Sequence, residues 1–309
     1  MTNKIIVGTR DSKLALTQTQ KVTQKLNSLH PHIQFEVLNI KTKGDILQDH
    51  PIESSIDKGF FVKEIQEMLL KKKIDIAINS LKDLPVDAIS GLEISAVLER
   101  DDPRDALVLN PKIQFNNDLN NLTISTSSNR RKSQLLKLYP EIKMKTIRGN
   151  VDTRIDKMEK GYCDGIIISA AALIRLGLQD RITYLFDNEE MICAPGQGTI
   201  ALESREEDKG IKKIVNSINH KKTSICVEIE RSFLKKLEGG CTAPIGAYAK
   251  VVENKVLLKG IISSLNGKKH ITNQALSEYT NSNKLGIELA KKMLLDGGDE
   301  ILSEVRGNG

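Results

Sequence analysis

The sequence predicts an α/β protein of three parts: two successive segments of alternating strands and helices, then a smaller α+β segment with an antiparallel sheet. Three observations carry this. At 309 residues the chain exceeds what one core usually serves, so two or three domains are expected. Strand-like and helix-like runs alternate twice, on either side of a charged, proline-bearing break, "LERDDPRD", around 98–104. After about residue 217 the strands fall together instead of alternating with helices. The expected domains are 1–98 with a return segment 199–216, then 99–198, then 217–309.

In order, "KIIVGT" (4–9) reads as a buried strand, and Ser12 as the N-cap of an amphipathic helix through "LALTQTQKVTQKL". "QFEVLNI" (34–40) is a strand, "FVKEIQEMLLKKK" (61–73) a helix and "IDIAI" (74–78) a strand, the grammar of a mostly parallel sheet. The polar stretch between Gly44 and Gly59 has no periodicity, as a functional or mobile loop would. The pattern restarts with "DALVLN", "LTISTS", a helix "NRRKSQLLKL", "KMKTIRG", a helix "NVDTRIDKMEK" and a strand "GIIIS". "MICAPGQGTIALE" (191–203), with Pro and Gly at its centre, suits a return crossing between domains, with "APGQGT" as the hinge. A helix over 224–240, strands "IGAYAKVV", "KVLLKGIISS" and "KHITNQALS", and a helix over 282–297 complete the chain.

Composition excludes several classes. The net charge of +6 is modest, tryptophan is absent and aromatics are 4% of residues, so no nucleic-acid surface is expected. The N-terminus has no apolar leader, and the most apolar stretch, "GIIISAAALI" (165–174), is too short to span a bilayer, which points to a cytoplasmic chain with no membrane partner. Cys163, Cys193, Cys226 and Cys241 lie at least 15 residues apart, without the paired spacing of a zinc site, and suit a reducing compartment; no metal is expected.

Arginine placement is the strongest chemical signal. Arg10 follows the first strand, Arg130 and Arg131 follow "STSSN", Arg148 sits in "IRGN", and Arg154 lies one helical turn beyond Asn150. Strand C-termini and the helix N-termini facing them form the ligand crevice of such sheets, and guanidinium groups there suit planar carboxylates. Arginines at strand ends also serve as helix caps or partners of neighbouring acids. "NSLKDLP" (79–85) puts Lys82 and Asp83 at the same edge, where an aspartate could stabilise a developing cation or assist proton transfer, or simply occupy a turn before proline. Last, "LEGGCTAPIGA" (237–247) sets Cys241 after two glycines and before Pro244, a turn that exposes the sulfur, although a free cysteine is more often a small buried hydrophobe.

These blocks, with "GTRDSKLAL" (8–16), "KGFFVKE" (58–64), "RDDPRDALV" (100–108), "AALIRLGL" (171–178) and "ERSFLKKLEGGCTAPIGA" (230–247), run in the order found in the porphobilinogen deaminases, which the chain resembles over residues 8–247. The resemblance implies two periplasmic-binding-protein-like domains joined by a hinge, and a small third domain. It implies an enzyme of porphyrin and haem biosynthesis that polymerises four porphobilinogens into the linear tetrapyrrole hydroxymethylbilane, with release of ammonia. The implied cofactor is a dipyrromethane, attached through Cys241. Asp83 would be the catalytic aspartate, near the pyrrole nitrogens of a cationic azafulvene-like intermediate. Lys82, Ser80, Arg130, Arg131, Thr126, Ser128 and Arg154 would bind the cofactor, while Arg10, Gln18, Phe61, Arg148, Arg154 and Arg175 would bind substrate. Residues 44–60 would be a mobile loop over the cleft, the enzyme a monomer, and its product handed to uroporphyrinogen-III synthase. The family commonly has histidine where this chain has Asn79, which can donate a hydrogen bond but cannot titrate near neutral pH. A non-catalytic binder of anions is the rival reading, and it would need neither Cys241 nor Asp83.

Overall fold

The computed structural model describes residues 4–42, 62–238 and 243–307. Phe61, the expected loop 44–60 and Cys241 with its two preceding glycines lie outside the described residues. The chain divides into two compact units, Met1–Asp101 with Gly198–Ser224, and Asp102–Gln197 with Ile225–Gly309.

The first unit is built on strands β1 (Lys4–Arg10), β2 (Gln34–Ile40), β3 (Ile76–Ser80), β4 (Leu92–Val97) and, from the later segment, β10 (Ile200–Arg205), in the order β2-β1-β3-β10-β4. β1 runs parallel to β2 and β3, whereas β10 runs antiparallel to β3 and β4. The sheet is therefore mixed, not mostly parallel. The physical reason is that a parallel neighbour needs a crossover connection, commonly a helix, while β10 enters from the other unit and is free to run the opposite way. Ser12 caps the helix Lys13–Leu29, its Oγ accepting from the Ala15 N–H, and Ala15, Val22 and Leu26 of that helix are buried. Ile5, Val7, Ile76, Ile78, Ile200 and Leu202 meet Val22 and Leu26 in one core.

The second unit repeats the scheme with β5 (Asp105–Leu109), β6 (Thr123–Ser125), β7 (Lys143–Lys145), β8 (Gly165–Ser169) and β9 (Tyr184–Phe186), ordered β7-β6-β8-β5-β9. β6 is parallel to β7 and β8, and β5 is antiparallel to β8 and β9. To this unit belongs a separate antiparallel meander, β11 (Ile245–Val252), β12 (Lys255–Ser263) and β13 (His270–Glu278). The fold class expected from the sequence, two α/β sheets and a small antiparallel α+β part, is the observed one.

Several boundaries move. The strand expected at 74–78 lies at 76–80, which makes Ser80 its last residue and puts Asp83 in the single 3-10 turn Leu81–Asp83. The strand expected over 143–149 is only Lys143–Lys145, after which the chain leaves the sheet and reaches Gly149 at φ 112°, a conformation that favours glycine. The helix expected from residue 224 begins at Lys221 and ends at Lys236.

The placement of that helix rests on two contacts. Glu230, fully buried, accepts hydrogen bonds at 2.7 Å from the backbone N–H of both Gly196 and Ala249, tying the helix to the "APGQGT" turn and to β11. Phe233, also fully buried, lies against β12 where Gly260 has no side chain: a Cβ there would stand 2.5 Å from the Phe233 Cζ. Gly260→Ala should therefore overpack this contact and destabilise the protein by about 1–3 kcal/mol, read as a lowered Tm by calorimetry.

Candidate active site

In the first unit, the ends of β1 and β3 and the first turns of helix Lys13–Leu29 surround a small cavity of about 50 Å³ lined by Arg10, Gln18, Asn79, Ser80 and Asp83 together with Ser12 and four apolar residues. The volume compares with roughly 30 Å³ per water in the liquid, so it admits one end of a ligand. Gln18, 2% exposed, donates from Nε2 to Ser80 Oγ at 2.9 Å, so two expected site residues fix one another. Asn79 donates from Nδ2 to Glu203 Oε2 at 2.9 Å, and Gln66 donates to the other oxygen of the same buried carboxylate at 2.8 Å. Lys82 shares the 3-10 turn with Asp83 but is not among the cavity's lining.

In the second unit, β6 runs into "TSS" and then the helix Asn129–Leu138. Ser128 caps that helix by accepting from the Arg131 N–H, and Thr126 Oγ1 accepts from the Ser128 N–H at 3.2 Å. Arg130 and Arg131, only 5% and 7% exposed, turn inward onto Asp105, the fully buried first residue of β5. Arg130 Nη1 is 2.6 Å from Asp105 Oδ2, and Arg131 donates to Oδ1 from Nε at 2.9 Å. Gln197 Nε2 donates to the same Oδ1 at 2.9 Å and to the Pro103 carbonyl at 2.7 Å. Carbonyls complete the shell: Ile192 O accepts from Arg130 and Ile167 O from Arg131. The buried Arg130 Nε has no hydrogen-bond partner among the described residues.

Burial alone would raise the Asp105 pKa, but the charges of Arg130 and Arg131, with hydrogen bonds from Arg130 and Gln197, more than reverse this and hold the carboxyl well below the ordinary carboxylate range. Two guanidinium groups thus share one carboxylate.

Of the other expected residues, Arg154 donates from Nε to the Gly149 carbonyl at 2.7 Å, next to Arg148 on the same turn. Arg175 closes the helix Ala170–Arg175 that follows β8 directly. Asp105, Gln197 and Glu203 were not singled out by sequence reasoning. A signal existed for the first: an aspartate heading the otherwise apolar run "DALVL", all five residues buried. Among the described residues no group of three or more His, Cys, Asp or Glu could hold a metal ion, and no helix is long and apolar enough to cross a membrane.

Two mixed sheets with arginines, hydroxyls and an aspartate at their strand ends, and a third small sheet, define the class of protein. Comparison with known proteins gives the family. The domain described as "Porphobilinogen deaminase, dipyromethane cofactor binding domain" matches residues 5–213, and "Porphobilinogen deaminase, C-terminal domain" matches residues 224–295. The porphobilinogen deaminase of Carboxydothermus hydrogenoformans is 42% identical over 306 residues, covering 99% of this chain and 98% of that protein. That of Clostridioides difficile is 41% identical over 291 residues, covering 94% and 97%. Among solved structures, the methionine binding protein MetQ aligns with a TM-score of 0.47 at 12% identity, covering 70% of this chain and 89% of that one. The chain belongs to the porphobilinogen deaminase family.

The Asp105 pairing makes a prediction that needs no ligand. Asp105→Asn removes the carboxylate that both buried guanidiniums contact and should cost about 3–5 kcal/mol in urea unfolding at neutral pH. Because the folded pKa is depressed, the carboxylate's contribution is fully present above the unfolded value near 3.9 and is lost as pH falls toward the folded value. The stability gap between parent and Asp105→Asn should therefore close as pH drops below about 4.

Proposed function

We propose that this chain is a hydroxymethylbilane-forming porphobilinogen deaminase, adding four porphobilinogens to a dipyrromethane primer held by the Cys241 thiol, with Asp83 as the catalytic carboxylate. The observation that carries the reading is the first unit's cavity, in which Asp83 is the one acidic residue among the described lining, beside Arg10, Ser80, Gln18 and Asn79. A dipyrromethane fits the groups present. Its acetate and propionate carboxylates suit the arginines and hydroxyls at the start of the helix Asn129–Leu138, where the buried Arg130 Nε has no acceptor among the described residues. When bound, the primer supplies a nucleophilic pyrrole carbon.

The chain's own residues supply the rest. In this reading Lys82, Ser80, Thr126, Ser128, Arg130, Arg131 and Arg154 hold primer carboxylates, and Arg10, Gln18, Phe61, Arg148, Arg154 and Arg175 hold those of incoming substrate. Charge-assisted bonds of this kind contribute roughly 1.5–3 kcal/mol each, which suits a product chain that gains two carboxylates per added pyrrole. Asp83 places a negative charge beside the methylene pyrrole, which becomes cationic as ammonia leaves, so its effect belongs to the transition state and not to substrate binding. The division into domains 1–98 with 199–216, 99–198 and 217–309 is supported by three separate sheets. The proposal places the enzyme in the cytoplasm, a reducing compartment in which the buried Cys163, Cys193 and Cys226 would stay thiols. A monomer that passes its product to a uroporphyrinogen-III synthase completes the proposal.

Asp83→Asn keeps the shape of the side chain and removes its charge. Single-turnover ammonia release should slow by at least about 10²-fold in protein that still carries pyrrole, and Asp83→Glu should retain more activity than Asn. Release at the parent rate by Asp83→Asn, or a Glu variant no better than Asn, would move the catalytic charge to another group.

A further inference from the structure

We infer that Asn79 is a substrate-positioning acceptor whose orientation is dictated from below by Glu203; the inference rests on the active-site assignment above. Asn79 ends β3 with Ser80, is 4% exposed, and lines the same cavity as Asp83. An amide side chain has one donating and one accepting end, and its neighbours decide which faces which way. Here the neighbour on β10 is a carboxylate, which only accepts. Glu203 is 5% exposed and takes Asn79 Nδ2 on Oε2 and Gln66 Nε2 on Oε1. Gln66, 3% exposed, is in turn unable to offer its carbonyl to Glu203, and Gln66 Oε1 has no hydrogen-bond partner among the described residues. Both amides are thus locked donor-inward, and Asn79 Oδ1 is the end left for the cavity.

The chemistry of the ligand matches that polarity. The nitrogens of porphobilinogen, the pyrrole N–H and the aminomethyl group in its ammonium form, are donors. Asp83 takes charge, while Asn79 offers a neutral acceptor one turn away in the chain, and Gln18, whose Nε2 is committed to Ser80, has its carbonyl end as a further acceptor. Asn79 therefore selects and orients a nitrogen-bearing end of the substrate, and Glu203 acts only through it, as a positioning residue.

A donor–acceptor swap tests this. In Glu203→Gln the new amide keeps its oxygen toward Gln66 and turns its nitrogen toward Asn79. Asn79 must then rotate to accept, and its Nδ2 faces the cavity. KM for porphobilinogen should rise about tenfold, with kcat within about threefold of the parent. Adding Asn79→Asp to Glu203→Gln restores an acceptor on both sides of the bond and should return KM to within about threefold. A purely structural role would change Tm in these variants but would not make KM rise and then recover. An unchanged KM in Glu203→Gln, or no recovery in the double variant, overturns the inference. Asp83→Asn, measured alongside, separates the two readings: if it turns over normally, the site assignment itself has failed, whereas if it is slow and KM ignores the swap, only the role of Asn79 has.

Discussion

Everything in the second unit hangs on one fully buried carboxylate. Asp105 heads β5, the strand by which the chain enters that unit, and it is held by Arg130 and Arg131 from the helix after β6 and by Gln197 from the turn by which the chain leaves. A buried carboxylate without such partners would be prohibitively costly, so the three segments are required to meet there. The same arrangement has a chemical consequence. One carboxylate shared by two guanidiniums holds both side chains fixed, and in the proposed function that fixed pair meets the carboxylates of the primer.

The first unit uses an aspartate in the opposite way. Asp83 sits in a short 3-10 turn at a strand end and lines a cavity. Below it, a second acid, Glu203, is enclosed by amide donors and is spent on holding β3 and its own strand in register at the cavity floor. Three acids thus have three different surroundings: Asp105 lies between cations, Glu203 accepts from two amides, and Asp83 lines a cavity.

How much of this could be read in the sequence depends on the kind of signal. Amphipathic periodicity located the helix Lys13–Leu29 and Ser12 as its cap, and apolar runs located β1, β5 and β8, because a buried face repeats in the sequence. The grouping of strands after residue 217 correctly separated the antiparallel meander. Strand direction was not legible, since β10 joins the first sheet only after the chain has built another unit, and periodicity carries no direction. β4 and β9 were missed: β9 is only three residues long, and β4 lies between turns. Arginine positions were legible and their partners were not: "NRRKS" announces cations at a strand end, but that they turn onto Asp105, 25 residues earlier in the chain, is a tertiary fact. The same holds for Asn79, whose departure from the family's histidine was visible while its bond to Glu203, 124 residues away, was not.

The central claim is a covalent pyrrole primer on one thiol of four, and intact-protein mass spectrometry addresses it without any assay of turnover. Protein purified from cells that make porphobilinogen should be heavier than its sequence by a dipyrromethane, and Cys163→Ser, Cys193→Ser and Cys226→Ser should keep that added mass. Cys241→Ser should be found at its bare sequence mass. A parent protein without the added mass, or a Cys241→Ser variant that retains it, would contradict the account.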